Sequence, residues 1–110
     1  MDDLRTSRGL AAHLDEVQVL DVREPFEIMA GVIEGALLIP LNALLSGRME
    51  GLDPERPVVV VCRSGNRSEV AALMLRARGF EAYNLEGGME EWEAEGLPFP
   101  AADGGPGRVA

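Results

Sequence analysis

Cys62 is the only cysteine of the chain, and Arg63, Ser64, Gly65, Asn66, Arg67 and Ser68 follow it without an apolar residue among them. A thiol set in a polar turn beside two fixed cations has a depressed pKa and exists largely as thiolate at neutral pH. Such a thiolate is a nucleophile for covalent catalysis. The competing reading is a cysteine buried inertly at the end of a strand, which is how many free cysteines behave. The polar run after Cys62 argues for the nucleophile. Cys62 is therefore the candidate catalytic residue, with Arg63, Ser64, Gly65, Asn66 and Arg67 as its anion-binding loop.

The flanking residues say what positions that loop. Val58, Val59, Val60 and Val61 follow Pro57 and read as a strand buried on both faces, too short and too β-branched for a helix. From Val70 the period changes. Val70, Leu73, Met74 and Ala77 fall at i, i+3, i+4 and i+7, which predicts a helix with that face toward the core. Gly79 ends it as a left-handed cap, with Phe80 folding back on Leu75. The loop thus joins a strand end to a helix N-terminus, where a parallel α/β sheet forms its crevice. A tight turn there points backbone N–H groups inward as an anion nest, and the helix dipole adds positive potential. Gly65 supplies the positive φ that such a curl needs.

The stretch Cys62-Arg63-Ser64-Gly65-Asn66-Arg67-Ser68 resembles the active-site loop of single-domain rhodaneses, sulfurtransferases that carry sulfur as a cysteine persulfide. Related phosphatases and arsenate reductases share the plan, with one residue more between cysteine and arginine to wrap a tetrahedral oxyanion. Only residues 63 to 66 intervene here, a tighter ring that suits a single sulfur. Asp21-Val22-Arg23 is similar to the Asp-x-Arg of the same family. Asp21 and Arg23 read as a supporting pair that holds a strand end against the loop, because thiolate attack on sulfur gives a carboxylate little proton transfer to do. Rhodaneses usually show Gly-His-Ile-Pro-Gly-Ala where this chain has Gly31-Val32-Ile33-Glu34-Gly35-Ala36. The two glycines remain, while Val32 and Glu34 replace the histidine and the proline. Gly87-Gly88, Trp92 and Gly96-Leu97-Pro98 complete the likeness, which covers residues 5–99.

Length and charge bound the rest. The chain has 110 residues, 46% of them hydrophobic, enough for one domain with a full core. Ten basic and nineteen acidic residues leave a net charge of −9. That balance excludes nucleic acid and anionic membrane as partners, since both need a basic face. A lone cysteine permits neither an internal disulfide nor a CxxC redox pair. No apolar run approaches the roughly twenty residues of a membrane span, so the expectation is a soluble protein of a reducing cytoplasm.

Taken in order, Leu10, Ala11 and Leu14 have helical spacing behind Ser7 as N-cap. His13, the only histidine, has no partner pattern and reads as an ordinary surface or half-buried residue. Val17–Arg23 is a strand, and Pro25 suits the first position of a short helix that turns Phe26 and Met29 or Ala30 inward. Leu37–Ile39 is a strand closed by Pro40, Leu41–Ser46 a short helix, and 47–57 a polar loop with an Asp53-Pro54 turn. Glu81–Leu85 forms the last strand. An acidic helix then runs to Gly96, with Gly87 and Gly88 allowing close backbone approach and Trp92 as a core anchor. Residues 100–110 are expected to be a disordered tail.

These readings converge on a three-layer α/β/α rhodanese-like domain with a central, mostly parallel sheet of four or five strands. The resemblance implies a sulfurtransferase that moves a sulfane sulfur from thiosulfate or a related anion through a Cys62 persulfide to cyanide, a thiol or an acceptor protein. It implies no metal and no cofactor. A relay or regulatory module working only with a protein partner is the alternative, followed by a cysteine-dependent phosphatase or arsenate reductase.

Overall fold

The computed structural model describes residues 2–110. Its elements are α1 (Ser7–Ala11), β1 (Gln18–Asp21), α2 (Pro25–Ala30), β2 (Leu37–Leu38), α3 (Leu41–Leu45), β3 (Val58–Val61), α4 (Asn66–Ala77), β4 (Ala82–Asn84) and α5 (Gly88–Ala94). The four strands form one sheet in the order β2-β1-β3-β4. Every pairing is parallel, with Leu20 opposite Val60 at the centre. The strands lie buried under helices on both sides, which is why β3 needs an unbroken β-branched sequence.

Alternation along the strands builds two cores. Val19, Val59 and Val61 face one side, where they meet Leu10 of α1, Leu85 just past β4, and Met89 and Trp92 of α5. Leu20, Val58, Val60 and Cys62 face the other side, against Leu44 of α3 and Ala71, Ala72 and Leu75 of α4. Trp92 is fully buried, and its indole N–H donates to Pro98 O at 2.9 Å. The end of α4 follows the predicted Schellman geometry. Phe80 N–H reaches Leu75 O at 3.0 Å, Gly79 N–H reaches Arg76 O at 3.0 Å, and Gly79 has φ +91°.

Several local expectations are corrected. The buried face of α4 is Ser68, Ala71, Ala72 and Leu75, whereas Leu73 is 57% exposed and Val70 also faces solvent. The small alanines let the helix lie close to the sheet, and a face of larger side chains would hold it off. In α2 the buried side chain is Glu27, while Phe26 (66% exposed) and Met29 project outward. The reason is that α2 is short and turns Glu27 toward the site. Thr6, not Ser7, caps α1, its side chain accepting from Gly9 N–H at 3.1 Å. Residues 100–110, expected to be disordered, lie along α2. Ala102 N–H donates to Met29 O at 3.1 Å and Arg108 N–H to Ala30 O at 2.9 Å. Gly107 sits so close to Phe99 that a Cβ there would stand 1.8 Å from the Phe99 carbonyl oxygen.

Candidate active site

Cys62 follows β3 at the carboxyl edge of the sheet, beneath the N-terminus of α4. The loop between them closes at Gly65, which caps α4 with φ +106°, a left-handed conformation that favours glycine. That curl brings hydrogen-bond donors onto the sulfur. Gly65 N–H points at Cys62 Sγ from 3.1 Å and Ser68 N–H from 3.4 Å, and the Ser68 hydroxyl lies at 3.2 Å. The first four N–H groups of a helix, counted from its cap, have no intrahelical partner. Here these belong to residues 65–68. Two of them are spent on the sulfur, and those of Asn66 and Arg67 remain.

Burial pushes the Cys62 thiol up, but the Ser68 hydroxyl and the N–H groups of Ser68, Gly65 and Ser64 outweigh it and hold the thiol below its ordinary range. The thiolate is thus favoured chiefly by hydrogen bonds in a dry setting. A second support comes from α5. Met89 N–H donates to Cys62 O at 2.9 Å and Glu90 N–H to Arg63 O at 3.0 Å. Gly88 makes that approach possible, because a Cβ on it would stand 2.5 Å from Cys62 O.

The sequence placed Arg63 and Arg67 beside the nucleophile as two fixed cations, and the structure gives each an acidic partner. Arg67 makes two parallel bonds to the Glu27 carboxylate, at 2.8 and 2.9 Å. Glu27 is 4% exposed in that pair and Arg67 35%. The bidentate bond from Arg67 holds the Glu27 carboxyl below the usual carboxylate range against its burial. Arg63 pairs with Glu90 at 2.9 Å and donates to Ala110 O at 3.0 Å. Ser64 and Asn66 are exposed at the mouth.

Asp21 and Arg23 form a buried bidentate pair, with Nε to Oδ1 at 3.0 Å and Nη2 to Oδ2 at 2.8 Å. Arg23 also donates to Gly31 O at 2.8 Å, tying β1 to the turn after α2. Their bonds stay within the β1–α2 unit and secure the helix that presents Glu27. His13 lies apart from the site, half-buried between Glu16 and Asp2. Sequence reasoning missed Glu27, Asn84 and the role of Ser68. The available signal for Asn84 was an amide set between Tyr83 and Leu85 in the last predicted strand. Nothing local marked Glu27 as the partner of an arginine 40 positions away. Among the described residues no cluster of His, Cys, Asp or Glu could hold a metal ion.

Comparison with known proteins covers the same stretch of chain. A family model described as the rhodanese-like domain matches residues 6–95. A sulfurtransferase of Allochromatium vinosum is 39% identical over 94 residues, which cover 84% of this chain and 87% of that protein. The thiosulfate sulfurtransferase GlpE of Pseudomonas fluorescens is 38% identical over 87 residues, covering 78% of each. Among solved structures, a rhodanese-related protein of Thermoplasma volcanium superposes with a TM-score of 0.80 at 34% identity, covering 86% of this chain and 93% of that one.

Proposed function

The chain belongs to the rhodanese-like sulfurtransferase family, and from that premise we propose that it takes a sulfane sulfur from thiosulfate or a related anion onto Cys62 and passes it to a thiol, cyanide or an acceptor protein of the reducing cytoplasm. The observation that carries this reading is the convergence of Gly65 N–H, Ser68 N–H and the Ser68 hydroxyl on one sulfur at 3.1–3.4 Å.

In the first half-reaction the Cys62 thiolate attacks the outer sulfur of thiosulfate. A Cys62 S–S bond forms, the donor S–S bond breaks, and its electron pair leaves with sulfite. The negative charge then sits on the outer sulfur of the persulfide. The N–H groups of Asn66 and Arg67, unpartnered at the start of α4, are the donors available to hold it. In the second half-reaction the acceptor attacks that outer sulfur, and the Cys62 thiolate returns as leaving group.

A second reading is favoured by the acidic partners of Arg63 and Arg67. With both guanidiniums paired and a net charge of −9, a free dianion meets little attraction, and a persulfide presented by a protein partner is the alternative donor. A phosphatase reading has only the shared loop plan in its favour. Intact mass after incubation with thiosulfate tests the first reading. A gain of one sulfur, reversed by cyanide and absent from Cys62→Ser, is the expected result. No gain with thiosulfate but a gain with a protein persulfide would favour the relay.

A further inference from the structure

Ser68 and Asn84 are buried polar side chains whose joint role the transfer reaction leaves open. The Ser68 hydroxyl lies 3.2 Å from Cys62 Sγ and is also in hydrogen-bond contact with Asn84 Oδ1. A hydroxyl has one proton to give, and a thiolate and an amide oxygen are both acceptors. The orientation of the amide is fixed independently. Asn84 Nδ2 donates to Gly65 O at 3.0 Å. Turned the other way, it would set its own oxygen against that carbonyl. The amide oxygen therefore has to face Ser68.

We propose that Asn84 is a positioning residue that competes with the Cys62 thiolate for the single proton of Ser68, and so sets how strongly that thiolate is stabilised. Cys62, Ser68 and Asn84 are all buried, and in such a low-dielectric setting both bonds are strong. While Cys62 is a thiolate, its charge draws the proton. Once the sulfur is alkylated or carries a second sulfur, Sγ loses its charge and the hydroxyl turns to Asn84. Either way the Ser68 proton has an acceptor. The same amide grips Gly65 O, and Gly65 N–H is one of the donors to the sulfur, so the two effects meet in one residue.

The test is the pH dependence of Cys62 alkylation by iodoacetamide, which reads the thiolate without any sulfur donor and so stands apart from the transfer reaction. Ser68→Ala should move the midpoint up and slow alkylation below it by about tenfold, the effect of one lost hydrogen bond to a charged group. Ser68→Thr should restore most of that loss. Asn84→Leu, similar in size but without an acceptor, should move the midpoint the other way and speed alkylation below it about twofold, since intrinsic reactivity falls as thiol pKa falls. Added to Ser68→Ala, it should no longer move the midpoint down, because no Ser68 proton is left to release. An upward or absent shift in a folded Asn84→Leu would overturn the proposal, because an amide that merely supports the loop acts in the same direction as Ser68. Should Asn84→Leu not fold, Asn84→Asp carries the test. Its upward shift must shrink in the Ser68→Ala background, and an undiminished shift overturns the proposal.

Discussion

Replacing Glu27 by Gln separates two jobs that one carboxylate does at the mouth. Glu27 accepts both terminal nitrogens of Arg67, at 2.8 and 2.9 Å, and the N–H of Glu24 at 3.0 Å. Losing a partner from a fully buried ion pair costs about 3–5 kcal/mol. Arg67 is 35% exposed, so water takes up part of the freed guanidinium and about 1–2 kcal/mol is the better figure. For a domain of this size that lowers Tm by roughly 5–10 °C. The pH dependence has a definite sign. Arg67 depresses the Glu27 pKa in the fold, so this stability is fully present above the ordinary carboxylate range and is lost as pH falls through the depressed value. The gap in Tm between the two proteins should therefore be full at neutral pH and close in strong acid. Function should move the other way, since Glu27→Gln leaves Arg67 with an uncompensated positive charge. One unit of charge within about a nanometre of a dianion in water is worth on the order of 1 kcal/mol, or about fivefold in KM. Calorimetry at several pH values and thiosulfate kinetics at low and high salt supply both readings. A less stable protein whose KM for thiosulfate falls, with the gain screened by salt, is the expected outcome. A raised KM would refute the charge argument and show that the pair serves as a geometric unit. An unchanged Tm would refute the stability argument.

Further perturbations address the loop and the start of α5 that supports it. Inserting Gly after Gly65 should cut sulfur transfer sharply while Cys62 still reacts with alkylating agents, and native protein should not turn over aryl phosphates. Full thiosulfate activity in the lengthened loop, or efficient phosphate hydrolysis by the native one, would defeat the size argument, which rests on donors acting at about 2.7–3.1 Å from the charge. Gly88→Ala should lower Tm more than Gly79→Ala. Both positions are left-handed, but a Cβ at Gly88 meets Cys62 O at 2.5 Å while one at Gly79 meets nothing within 4 Å. Equal melting temperatures would show that α5 gives way without strain.

Signals confined to neighbouring residues were legible. Four β-branched valines, the Gly79-Phe80 ending and the glycine of the loop all act within a turn or two, and β3, the Schellman cap and the Gly65 curl follow from them. The orientation of α4 was not legible. Val70 and Leu73 are more apolar than Ala71 and Ala72, yet the sheet takes the alanines because small side chains let the backbones approach. Partners across distance were also hidden. Arg63 and Arg67 announced a cationic loop, but Glu27 and Glu90 come from other elements, and only the fold sets them opposite. Asn84 lies 19 positions from Gly65, and its grip on that carbonyl depends on β4 pairing beside β3.

The two outer strands are the shortest of the sheet, with two residues in β2 and three in β4. An outer strand shows unpaired N–H and C=O groups on which another chain can build, and long flat ones invite aggregation. Here the strands that can tolerate an all-apolar sequence are inside, where β1 and β3 each have neighbours on both sides. Just past β2 stands Pro40, which has no N–H to offer an incoming strand. Tyr83, at the centre of β4, directs its hydroxyl to Glu81, so a charged group stands over the other border. The sheet that carries a reactive thiol at its end thus gives a second chain little to pair with. Its most aggregation-prone sequence, Val58–Val61, becomes accessible only when the domain itself comes apart.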